Sequence, residues 1–123
     1  MLILALAAAL SAGTAVQAQT QIPAAARPSP ELMAAVQAWG ACMDAGVTAV
    51  PATEAPQAAA RRVIASCAPQ QQSLTTVTAA WIAATGLPAA QQAQMRARLA
   101  TVSTGLEPRV VERIQQMRAR PTR

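Results

Sequence analysis

An all-α fold is what this sequence predicts: a small bundle or orthogonal array of about five short helices, stapled by one disulfide between Cys42 and Cys67. Three observations carry that expectation. Hydrophobic residues make up 53% of the 123-residue chain, yet most are alanine, and the 2% aromatic fraction is Trp39 and Trp81 alone. Alanine has the best intrinsic helix propensity, while strand formers such as Ile, Phe and Tyr are scarce or missing. Apolar residues then recur at spacings of three and four between Pro and Gly breaks, which is the period of a helix with one buried face. Finally, two cysteines lie in separate helical segments behind an export signal, where thiols pair rather than stay free. The length suits one core.

The export signal occupies residues 1–18. Residues 2–10 form an unbroken apolar run, and Ala15-Val16-Gln17-Ala18 places small residues at the −3 and −1 positions of a cleavage site after Ala18. The usual opening Lys or Arg is missing. A membrane anchor would need about twenty apolar residues, so no stable span is expected once the signal is removed, and the localisation expected is periplasmic or secreted. No cysteine stands near the cleavage site, which argues against lipoprotein processing. Residues 19–28 lack periodicity and read as a flexible leader into a helical domain covering 29–123.

Ser29-Pro30-Glu31 opens the first helix: a hydroxyl to cap free N–H groups, proline at the first helical position, and an acid beside the positive end of the dipole. It is expected to run to about Ala45, burying Leu32, Val36, Trp39 and Met43, with Gly46 as its stop. Thr53 and Glu54 are placed to cap a second helix with Ala60, Ile64 and Cys67 inside. Pro69 should end it near Cys67. A third helix is expected from about Gln70 to Thr85, with Leu74, Val77, Trp81 and Ala84 on its inner face and Gly86 as terminator. The fourth starts near Pro88, turns Met95, Leu99 and Val102 inward, and ends at Gly105. The fifth opens at Glu107-Pro108, carries Val110, Val111, Ile114 and Met117, and stops before Pro121.

On these boundaries both cysteines sit at the C-terminal ends of their helices. A simple antiparallel hairpin would then part them by roughly 20 Å, whereas bridged Cα atoms lie about 6 Å apart. The first two helices are therefore expected to cross steeply or run roughly parallel.

Function is read from what the chain lacks as much as from what it holds. Its formal net charge is +5, all ten basic residues are arginine, and it has no His, Lys or Tyr. From 96 to 123 seven arginines face only Glu107 and Glu112; the rest of the chain is neutral. Acid–base catalysis lacks its usual groups, and the five carboxylates do not pair up, so no catalytic residue, no cofactor and no metal site are assigned. The methionines are dispersed and read as packing. Nucleic acid is not an expected partner, because no aromatic stands among the basic residues and export argues against it. Arg109, Arg113 and Arg120 fall on one stripe of the last helix, roughly perpendicular to its apolar face, and form the candidate contact for an anionic envelope component or an acidic protein. The expectation is a non-enzymatic binding or interaction module. The alternatives are a helical chaperone for apolar client segments, which needs an exposed apolar groove, and an unfamiliar small enzyme, which needs a pocket gathering acids from separate helices.

Overall fold

A computed structural model describes residues 27–121; the expected export signal and cleavage after Ala18, residues 19–26 of the expected leader and the last two residues lie outside them. The described residues form five α-helices and no strand: α1 Pro30–Thr48, α2 Pro56–Ser66, α3 Ala68–Ala84, α4 Ala89–Thr104 and α5 Leu106–Ala119. The all-α class and the helix count agree with the sequence reading. No described helix is long and apolar enough to cross a membrane.

α1 starts as its sequence dictates, with the Leu32 N–H donating to Ser29 Oγ at 3.1 Å and Pro30 in the first turn. Its end does not. The helix continues through Gly46 to Thr48 and buries Val47. Gly46 acts as a contact point rather than a stop: a Cβ there would lie 2.7 Å from Cγ1 of Val63 on α2. The missing side chain lets the two backbones approach. Gly46→Ala should therefore destabilise the protein by about 1 kcal/mol, since the helix-propensity gain of about 1 kcal/mol is outweighed by overpacking of about 1–3 kcal/mol. Urea denaturation of the single and double variants checks this. Val63→Ala in the same chain should make room, so that the double variant is less damaged than the two single effects added together.

The longer α1 also corrects the expected topology. Cys42 and Cys67 are bridged, with Cα atoms 5.9 Å apart. Cys42 to Cys67 and Gly46 to Val63 are contacts four residues apart on each helix, in opposite order, so α1 and α2 form an antiparallel hairpin. Because α1 runs on past Cys42, that residue sits level with the far end of α2, and neither a steep crossing nor a parallel pair is needed.

Cys67 closes α2 and immediately opens α3. Pro69 falls in the first turn of α3, where a missing N–H costs nothing, so α3 begins at Ala68 rather than near Gln70. At the other end of α3, Trp81 Nε1 donates to the Arg27 carbonyl at 2.9 Å. With Cys67 beside Cys42 and Trp81 beside Arg27, α3 also runs antiparallel to α1. α2 thus covers the C-terminal half of α1, and α3 covers the N-terminal half.

The inner face of α3 is turned by about one residue from the sequence expectation. Thr78, Ile82 and Thr85 are buried, Leu74 is half-buried, Ala84 is exposed, and Trp81 is half-buried with its indole N–H tied to the leader. Two threonines can enter because their hydroxyls donate to their own helix, Thr78 Oγ1 to Leu74 O at 2.6 Å and Thr85 Oγ1 to Ile82 O at 2.7 Å. A hydroxyl bonded in this way presents chiefly its methyl group outward.

Gly86, at φ +67°, makes the turn that returns α4 along α3. α5 then runs antiparallel to α2, Glu107 meeting Arg61 and Arg118 reaching back to Glu54. The core lies at this end, where Met43 and Val47 of α1, Ala59, Ala60 and Val63 of α2, Cys67, and Leu106, Val110 and Ile114 of α5 pack together. Ile64, expected inside, is only partly buried. α4 buries no residue at all. Leu99 and Val102, expected to point inward, are 42% and 43% exposed, and Val36 of α1 is likewise 43% exposed.

Candidate functional site

Of the arginine stripe expected on the last helix, Arg109 and Arg113 stand on the surface of α5, whereas Arg120 caps its end with extended backbone and leaves the stripe, and the three do different things. Arg113 Nη2 lies 2.7 Å from Asp44 Oδ1 and joins α5 to α1, whereas Arg109 and Arg120 have no ion pair among the described residues. Arg118, outside the stripe, donates to the carbonyls of Pro51 at 2.9 Å and Glu54 at 2.6 Å, clamping the α1–α2 connection. Glu54 does not cap α2, which has no side-chain cap; it takes a bidentate pair from Arg62, Nε at 3.1 Å and Nη2 at 2.7 Å. That hydrogen bonding holds the Glu54 carboxyl below the usual carboxylate range and pushes the Arg62 guanidinium up. Pairs as exposed as these add little stability; Arg113 and Arg118 tie α5 to α1 and to the α1–α2 connection.

The described helices enclose hollows, two of which bear on function. One, of about 470 Å³, is lined by Gln57, Thr104, Pro108, Val111, Gln115, Glu107 and Glu112. Both of its carboxylates are engaged, Glu107 with Arg61 at 3.0 Å and Glu112 with Gln116 Nε2 at 3.1 Å. The other is a groove of about 390 Å³ between α3 and α4. Leu74, Ile82, Leu99, Val102 and Leu106 supply its aliphatic walls, and Trp39 separates it from the core. No carboxylate lines it, and Arg96 is the one charged side chain in its lining.

The groove is more apolar than its residue names suggest. Thr75 Oγ1 donates to Gln71 O at 2.9 Å, Thr78 Oγ1 to Leu74 O at 2.6 Å, and Ser103 Oγ to Leu99 O at 3.2 Å. These hydroxyl hydrogens are turned back onto helix carbonyls. Arg96 contrasts with them: its guanidinium touches only the Gln92 amide oxygen, at 3.4 Å, and has no acid beside it among the described residues. The indole N–H of Trp39 is buried without a protein acceptor among the described residues.

The sequence places every component of this groove except Leu106 on a helix, but none in a groove. It assigned Leu99 and Val102 to a core and left Arg96 as one charge among seven. The signal that could have found it is the composition of α4, which has three apolar side chains larger than alanine beside two arginines and no acid. Such a helix has too little to bury, so its apolar face stays in part uncovered. Among the described residues no group of three or more Cys, His, Asp or Glu side chains is arranged to hold a metal ion. No family model, curated protein or solved structure matches this chain.

Proposed function

We propose that this chain is an exported, non-enzymatic binding protein whose ligand lies in the apolar groove between α3 and α4. One observation carries the reading: α4 borders the groove with exposed Leu99 and Val102 while burying nothing of its own. Apolar surface left in water is unfavourable by about 25 cal/mol per Å², and occupation of the groove would remove that cost. Export is supported by the signal-like residues 2–18 and by the Cys42–Cys67 bond, which suits an oxidising compartment. A binding role is supported further by the lining, which holds one cation and no carboxylate, and so offers recognition groups without a general base.

The test is titration with a neutral, environment-sensitive apolar dye such as N-phenyl-1-naphthylamine, followed by its fluorescence. The expected result is saturable binding at one site, lost on combining Leu99→Ser with Val102→Ser while the helical circular dichroism stays as it was. Saturable binding untouched by that double variant would remove the groove from the argument.

A further inference from the structure

We infer that the groove takes a single-chain anionic amphiphile, a long-chain monocarboxylate, with its alkyl chain along α3 and its carboxylate at Arg96. This rests on the binding reading above and adds the chemical class of the occupant.

Size comes first. From Gln71 to Ile82 the groove follows α3 over twelve residues, about 16 Å for the eleven steps at 1.5 Å each. The groove offers about 390 Å³. A single alkyl chain fits a groove of that length and volume. Leu74, Ile82, Leu99 and Val102 are the surface such a chain would cover, and the inward-bonded hydroxyls of Thr75, Thr78 and Ser103 ask nothing of it.

Charge then selects the head group. α3 has no charged residue, and α4 has Arg96 and Arg98 with no acid, so nothing on the two walls competes for Arg96. A guanidinium presents paired N–H donors that match a carboxylate. One such fork at the groove balances one negative charge. A phosphomonoester, carrying about −1.5 to −2 at neutral pH, would be left partly uncompensated, and a cationic head group would be repelled.

Displacement of the bound naphthylamine dye distinguishes these cases, with each competitor held below its micelle-forming concentration at neutral pH. Myristate should displace the dye about tenfold more effectively than tetradecanol, the scale of one hydrogen bond between charged groups. Tetradecyltrimethylammonium should be weaker than tetradecanol, and tetradecyl phosphate no better than myristate. Arg96→Gln should erase the preference for myristate, and Arg96→Glu should invert it toward the ammonium compound. Equal displacement by myristate and tetradecanol, or a preference that survives Arg96→Gln, would overturn the inference while leaving the binding reading in place. So would displacement by an amphipathic helical peptide better than by myristate. Failure of the dye itself to bind would sink both.

Discussion

Replacing Cys42 and Cys67 together by alanine is expected to lower the thermal midpoint by about 15 to 25 °C. The bond closes a loop with a sequence separation of 25, and in the chain-entropy treatment a loop of that size stabilises the fold by about 3.5 kcal/mol. For a domain near 100 residues each kcal/mol moves the midpoint by about 4–8 °C. The bond also stands where three helices meet: on α1, at the end of α2 and at the start of α3. Without it, the junction at Cys67 loses its covalent tie to α1, and the α3–α4 end, which has few buried side chains, should loosen before the α2–α5 end. Circular dichroism melts of the double variant and of the wild-type protein with reductant measure the effect. A shift under about 5 °C would mean that packing alone holds the junction.

Ile114→Ala and Leu99→Ala form the second pair, and they should separate widely. Ile114 is 2% exposed within the α1–α2–α5 core, so truncation leaves a cavity and should cost about 3–4 kcal/mol. Leu99 is 42% exposed on a helix that buries nothing, and the same truncation should cost less than about 1 kcal/mol. Denaturant midpoints at unchanged m report both values. Comparable losses would show that α4 is part of the stabilising core, and the groove reading would lose its basis. A stable Leu99→Ala protein that has lost the dye would instead separate the two halves of the molecule by role: one end folds the chain, the other binds.

The asymmetry has a plain chemical origin. α2 and α5 bring Val63, Leu106, Val110 and Ile114 to α1, whereas α4, mostly alanine, glutamine and arginine with only Met95, Leu99 and Val102 larger and apolar, brings nothing to that core. With Trp39 and Trp81 as its only aromatic residues, the chain has too little large apolar volume to close both ends. Trp39 is divided between the two tasks, against the core on one side and the groove on the other.

The helix class, the five segments and the pairing of the cysteines were determined by the sequence, because propensity, proline and glycine breaks and the presence of just two thiols are local or compositional properties. Ser29-Pro30-Glu31 starts a helix wherever it is placed, and only two thiols are present to pair. The inner face of α3 and the role of Gly46 were decided by tertiary structure. Thr78 and Thr85 count as polar until their hydroxyls are seen bonded to their own helix, and Gly46 reads as a stop until Val63 is found against it. The arginines show the same limit: Arg109, Arg113 and Arg120 share a stripe by helical period alone, but the partnership of Arg113 with Asp44 joins residues on separate helices. Arg96 owes its place beside the groove to the way α4 returns along α3 without packing closely on it. Periodicity tells which side chains share a face; what that face meets depends on the register between helices, and that is set by contacts far apart in the chain.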